Sequence, residues 1–145
     1  MTQPSITGPT AGTFFIPRNV DVRLTAHAAL VVGDVVTLDE ALDGTTKAAS
    51  ADDTVAGVVC GIIGVALEDM AIGAEGMFRF AGKVDAKLNN ATAVGAGLQA
   101  GALTTLTDTL GDGAKVVGIA LEAVASSAVA SVALDGINGF GYHIT

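Results

Sequence analysis

Residues 64–82, GVALEDMAIGAEGMFRFAG, recur in related form at residues 118–136, GIALEAVASSAVASVALDG. The two segments align without a gap at an offset of 54, and seven of their nineteen positions are identical. Each copy follows a Val-Gly pair that opens another apolar stretch, Val32-Gly33 and Val94-Gly95, at an offset of 62. Because one unit alone is too small to bury a core, the repeat predicts two related halves that fold against each other.

The segments around the repeat carry the signals of β-strands. Val20, Val22 and Leu24 alternate with Asp21 and Arg23, which predicts a half-buried strand. Further strands are predicted at residues 30–39 with a turn at Gly33-Asp34, and at 55–67, 77–80, 84–88, 115–121 and 129–134. Clusters of Gly, Asp, Asn and Thr separate them, so the chain is predicted to be an all-β sandwich or small β-barrel.

Residues 120–130, ALEAVASSAVA, allow two interpretations. Their helix-forming residues favour a short helix. The repeat instead predicts a turn around Ser126-Ser127, because the first copy has turn chemistry between Gly73 and Gly76.

Residues 1–19 differ in composition from the rest of the chain. They contain all three prolines, Pro4, Pro9 and Pro17, which disfavour a helix or a central strand. We therefore predict an extended N-terminal arm over residues 1–19 and a single β domain over residues 20–145. The bulky residues Phe14, Phe15 and Ile16 either fold back onto that domain as an anchor or dock on another chain.

The composition excludes several classes of protein. Half of the 145 residues are apolar and 15% are charged, which argues against disorder. Seven basic against fifteen acidic residues give a net charge of −8, so we expect no nucleic-acid partner. The longest apolar stretch, residues 55–67, is interrupted by glycines and is shorter than the roughly 20 residues of a spanning helix, so no membrane partner is expected. The N-terminal residues show no secretory signal pattern, and Cys60 has no partner within the chain.

The residue types that carry catalysis or bind metals do not form a recognisable constellation. His27 and His143 are 116 positions apart, and Cys60 lies in an apolar run where an inert thiol is expected. Glu68 and Glu122 occupy equivalent repeat positions, where we expect turn or cap hydrogen bonds rather than a catalytic pair. Solvated acidic loops, and not calcium sites, are expected at Asp39, Glu40, Asp43, Asp52 and Asp53. We expect no enzymatic activity, catalytic residue, metal or cofactor.

Four motifs in order carry a resemblance to a known family. They are VGDVVTL at residues 32–38, IIGVALED at 62–69, FRFAGKVDAK at 78–87 and VVGIALEA at 116–123. The set resembles the capsid cement, or head decoration, proteins of tailed phages over roughly residues 20–136. The chain departs from the family pattern at residues 125–127, where Ala-Ser-Ser replaces a glycine-rich turn.

The resemblance implies a structural virion protein that binds the outer surface of a phage head and stabilises the shell. It implies a compact β-clip or tulip-like fold, synthesis in the host cytoplasm and no cofactor. The implied partners are the major capsid protein and further copies of the chain, as a homotrimer or a dimer. In such proteins the N-terminal arm commonly carries the capsid contact, which here implies Phe14, Phe15, Ile16 and Pro17.

Two other interpretations remain open from the sequence. The first is a head-fibre base or a glycan-binding β module of the virion surface, for which Tyr142 near Phe140 is the available aromatic platform. The second is a small carbohydrate- or cofactor-binding β domain, which could be enzymatic and would need a pocket with convergent polar side chains.

Overall fold

The computed structural model describes residues 18–39, 45–48, 62–101 and 104–144. Within these residues the chain forms no helix and nine strands: β1 (Val20–Ala26), β2 (Val35–Asp39), β3 (Thr45–Ala48), β4 (Ile63–Ala66), β5 (Glu75–Leu88), β6 (Gly97–Ala100), β7 (Leu106–Thr107), β8 (Gly118–Ala120) and β9 (Ala128–Asp135). The predicted all-β class is confirmed. Residues 1–17 lie outside the described part, so the division into an arm and a single domain stays a prediction.

The strands form one continuous sheet that closes on itself twice. β1, β3, β2, β4 and β5 are neighbours in that order, and pairing of β1 with β5 closes a first barrel. β5, β7, β6, β8 and β9 form a second barrel in the same way, closed by pairing of β5 with β9. The 14-residue strand β5 therefore contributes to both barrels.

The pairing registers reproduce the sequence repeat. Val36 pairs with Gly64 in the first barrel, and Leu98 pairs with Gly118 in the second. Val36 and Leu98 are 62 residues apart and the two glycines 54 apart, which are the two offsets read from the sequence. The two predicted halves are therefore related, and Gly64 and Gly118 hold corresponding positions.

Equivalent loops close one end of each barrel. The amide of Gly33 donates to the carbonyl of Ala66 at 2.9 Å, and that of Gly95 donates to Ala120 at 2.8 Å. Gly33 and Gly95 have φ angles of 93° and 87°, a left-handed conformation that favours glycine. Short bridges between residues 30 and 70 in one half, and 92 and 124 in the other, complete the closure.

Two details of the predicted strands are wrong. Residues 77–80 and 84–88 belong to one strand, because Gly82, at φ 113°, bends the chain without ending it. The stretch 115–121 contains only the three-residue strand β8. The short helix considered for residues 120–130 does not form, and the chain bends at residues 125–127 as the repeat predicts.

Two apolar clusters form the core within the described part of the chain. The smaller one lies in the first barrel around Phe78 and Phe80. The larger one fills the second barrel and also includes Val35, Ile63 and Val65 from the first half. Since neighbouring residues of a strand point to opposite faces, β2 directs Val36 into one cluster and Val35 into the other. The first half therefore supplies part of the core of the second barrel.

Candidate interaction surface

Alternation along β1 sorts its side chains into two faces. Val20, Val22 and Leu24 share one face, and Asp21 and Arg23 lie on the other. The apolar face was predicted to be half buried, and the structure places it at one end of the first barrel. That end carries the start of β1, the end of β2 and the start of β4.

A groove of about 210 Å³ opens at this end of the first barrel. Among the residues that the structure describes, its lining is entirely apolar and consists of Val20, Val22, Leu24, Leu38, Ile62, Phe80 and Ile137. We call this surface the apolar groove. Phe80 is 3% exposed and forms its floor, whereas Val20, Val22, Ile62 and Ile137 are 37–39% exposed. Exposed aliphatic side chains that converge on a concave surface are typical of a site that binds another apolar segment.

An ion pair fixes the polar face of β1 beside the groove. Arg79 Nε and Nη2 donate to the two carboxylate oxygens of Asp21 at 2.8 and 2.9 Å, and Arg79 Nη1 donates to the carbonyl of Lys83 at 2.8 Å. The hydrogen bonds from Arg79 lower the pKa of Asp21 below its ordinary value, and partial burial opposes them. The bidentate contact therefore holds β1 in register with β5.

A second ion pair joins the two barrels. Asp34 follows the left-handed Gly33, and its side chain is buried against Lys87 of β5. Asp34 Oδ2 also accepts a hydrogen bond from the amide of Val31 at 2.9 Å. The neighbouring backbone adds a contact, because the amide of Lys87 donates to the carbonyl of Gly33 at 3.0 Å. The sequence contains Asp34 within a turn signal, but nothing local indicates that its partner is 53 residues away.

The C-terminal residues form a second surface with exposed apolar side chains. Lys115 and Tyr142 form an antiparallel bridge, and the amide of Phe140 donates to the carbonyl of Val116 at 2.7 Å. Tyr142 is 58% exposed and Phe140 is 36% exposed. The two aromatic residues considered from the sequence therefore lie two positions apart on an irregular segment, in which Gly139 and Gly141 have φ angles of 77° and 130°.

Glu68 and Glu122 make equivalent hydrogen bonds in the two halves. Glu68 Oε2 accepts from the amide of Met77 at 3.0 Å, and Glu122 Oε1 accepts from the amide of Ser131 at 2.7 Å. The partners are 54 residues apart, as the two glutamates are. Each side chain thus anchors the loop that precedes the last strand of its barrel, in the turn-type role expected from the sequence.

The other sequence candidates contribute no assembled site to the described residues. Phe14, Phe15, Ile16 and Pro17 lie outside them, as do Glu40, Asp43, Asp52, Asp53 and Cys60. His27 is exposed after β1, and His143 pairs through its backbone with residues 113 and 114. Within the described ranges no three His, Cys, Asp or Glu side chains are grouped to hold a metal ion. No helix there is long and apolar enough to cross a membrane.

No groove was predicted from the sequence. The alternation of β1 predicted only that Val20, Val22 and Leu24 share the apolar face of a half-buried strand. Leu38, Ile62 and Ile137 were missed, because they come from distant parts of the chain that only barrel closure brings together.

Comparison with solved structures finds the same architecture in a phage protein. The crystal structure of the N base of head fiber gp8.5 of bacteriophage phi29 matches with a TM-score of 0.59. The match covers 83% of this chain and 98% of that one, at 16% sequence identity. This chain shares that fold. No protein-family model matches the sequence. No curated protein matches it either.

Proposed function

We propose that the protein is a structural component of a phage virion that binds the outer surface of the head. The observation that carries the proposal is the fold it shares with the head-fiber base, which extends over 98% of that chain. The ordered motifs that resemble head decoration proteins support it independently. The net charge of −8 also suits a position outside the shell, because an acidic protein is a poor ligand for packaged DNA.

The finer proposal is that the protein acts as a cement protein and not as an enzyme. Copies would bind the major capsid protein, reinforce the shell and contact one another as trimers, or alternatively as dimers. The arm residues Phe14, Phe15, Ile16 and Pro17 would supply a contact to the capsid or to a neighbouring copy. An extended segment can add a strand to an exposed sheet edge, where main-chain hydrogen bonds give affinity.

A head-fibre base is the second candidate, favoured by the name of the structural neighbour. A cement protein would coat equivalent lattice positions and raise the temperature at which heads rupture. A fibre base would instead connect the head to a projecting structure. Cryo-electron microscopy of the virion distinguishes the two roles, because a fibre base would show density for a projecting structure beyond the two barrels and a cement protein would not.

The binding experiment mixes purified protein with undecorated heads and measures occupancy at limiting concentration. We expect saturable binding by the full chain and weaker binding after deletion of residues 1–17. Thermal melting of the truncated protein is the control, because the barrels should remain folded. If the full chain shows no binding to heads, the proposal is wrong, and equal occupancy by both proteins would remove the arm from the contact.

A further inference from the structure

The end of the second barrel that corresponds to the apolar groove is covered. Val22, Leu38 and Phe80 of the groove correspond to Val84, Ala100 and Leu134 by the two repeat offsets. Those three are 6%, 1% and 0% exposed. They belong to the cluster that also contains Val35, Ile63 and Val65 of the first half. The second-barrel residues that correspond to the groove lining are therefore buried in one cluster with apolar side chains of the first half.

The first barrel has no preceding half among the described residues to supply such side chains. What precedes it in the chain is the N-terminal arm, whose bulky apolar residues are Phe14, Phe15 and Ile16. The groove volume of about 210 Å³ suits one or two large side chains. The groove and the arm are therefore complementary in apolar character and in size.

The edge of β1 next to the groove offers backbone groups as well. β1 pairs with β5 from Val20 to Thr25, but it pairs with β3 only at Thr25 and Ala26. Across the part of the chain that the structure describes, residues 20–24 have no strand on the side away from β5. An added extended segment could bond to this edge and place alternate side chains into the groove.

The way the chain enters β1 argues against occupation by its own arm. Arg18 and Asn19 lead into β1 without a turn or a bend. Asn19 also packs against Gly82, at the place where a side chain on that glycine would lie. A reversal would therefore have to begin at Pro17 or earlier. Residues 14–16 would then form the turn and would not lie beside Val20 and Val22 of the same copy.

We propose that the apolar groove of one copy binds residues 14–16 of a second copy as an added strand. Because side chains alternate along a strand, Phe14 and Ile16 enter the groove and Phe15 points away from it. The inference rests on the proposed function, which brings many copies together on the head. It identifies the apolar groove as the surface through which those copies bind one another.

Cross-linking tests whether the contact is between copies. Ile16→Cys and Val22→Cys are introduced together in a Cys60→Ser background, and the full chain is oxidised at high concentration. We expect covalent dimers and larger species on a non-reducing gel, reversed by reductant. A cross-linked monomer of increased mobility would show that the arm binds its own groove. Absence of any cross-link would show that the groove is not the arm's site. Either result overturns the proposal.

Sedimentation measurements test which side chains contribute to association between copies. Phe14→Ser and Ile16→Ser should each lower the association constant about tenfold or more, and Phe15→Ser should change it much less. On the groove side, Val22→Asp should weaken association, whereas Val94→Asp, at a valine that is 65% exposed outside the groove, is the matched control. Equal effects of Phe14→Ser and Phe15→Ser, or of the two aspartates, would overturn the proposed register.

The same variants separate this inference from the proposed function. If Phe14→Ser, Ile16→Ser and Val22→Asp associate as the parent does while the parent coats heads, arm exchange is refuted and head binding stands. If the parent forms the interchain cross-link but binds no heads, the exchange stands and the proposed function fails. Circular dichroism of each variant confirms that the barrels are folded.

Discussion

Replacing Gly64 by alanine should destabilise the protein, and the same change at the corresponding Gly118 should not. At Gly64 the new Cβ would lie 2.6 Å from Cε1 of Phe80 and 2.9 Å from Cδ1 and Cζ. Phe80 is 3% exposed and packed in the first-barrel cluster, so its ring can relieve the overlap only by shifting toward the apolar groove and away from its packed neighbours. At Gly118 the nearest atoms are 3.5–3.6 Å away, which is ordinary van der Waals contact.

The expected magnitudes follow from two opposing terms. Overpacking a filled core costs about 1–3 kcal/mol. Replacing glycine by alanine in a compatible conformation stabilises by about 0.4–1 kcal/mol, because the unfolded chain loses freedom. Gly64→Ala should therefore lower the free energy of unfolding by about 1–2 kcal/mol, whereas Gly118→Ala should leave it unchanged or raise it by less than about 1 kcal/mol.

Urea unfolding followed by far-UV circular dichroism measures both variants, since the chain has no tryptophan. The second copy of the repeat suggests a substitution that should compensate for Gly64→Ala, because it has Leu134 at the position of Phe80 in the first copy. In a Phe80→Leu background the ring is absent, and Gly64→Ala should become tolerated, with a coupling energy of about 1 kcal/mol or more. Equal effects at the two glycines, or additive effects of Gly64→Ala and Phe80→Leu, would refute the packing argument.

Three further predictions concern other parts of the fold. Gly136→Ala should cost about 3 kcal/mol, because its Cβ would overlap the carbonyl oxygen of Ile63. Gly111→Ala is the control in the same urea unfolding assay, because the nearest atom to its Cβ is Gln99 Oε1 at 3.9 Å, an ordinary van der Waals contact. Asp21→Asn should lower stability by up to about 1 kcal/mol at neutral pH. The hydrogen bonds from Arg79 depress the folded-state pKa of Asp21. That contribution is therefore present above the unfolded-state pKa of about 4 and is lost as the pH falls through the folded-state pKa. A difference from the parent that does not shrink on acidification would contradict this assignment. Far-UV circular dichroism of the full chain should show a β spectrum, and a spectrum dominated by helix would be incompatible with the two barrels.

Binding of an added strand would account for the exposed apolar side chains around the groove. The rim residues Val20, Val22, Ile62 and Ile137 would be covered only in the assembly, as apolar contact surfaces between copies usually are. An arm that supplies both backbone hydrogen bonds and two anchoring side chains could then link neighbouring copies along a surface. Each such contact can be modest, because many of them act together.

Local sequence patterns determined the class of the fold and its internal symmetry. Alternation in residues 20–24 predicted β1, and the glycine of Val32-Gly33 marked the turn that the structure closes with a left-handed Gly33. The repeat at offsets of 54 and 62 fixed which residues would occupy corresponding positions, including Gly64 and Gly118. It also predicted the bend near Ser126 against the helix propensity of the surrounding residues. These features depend on side-chain periodicity and on backbone conformations that a few neighbouring residues impose.

The continuity of β5 was decided by tertiary structure. Gly82 looks like an interruption in the sequence, yet the chain continues through it because Asn19 packs over the glycine and β9 pairs with the strand beyond it. The parallel pairing of β1 with β3, the salt bridge of Asp34 with Lys87 and the lining of the apolar groove likewise join residues far apart in sequence. Periodicity specifies which face of a strand is apolar, but not which strand will lie beside it. The closure of each barrel selects that partner, because the closed arrangement pairs backbone groups of neighbouring strands and buries both apolar clusters.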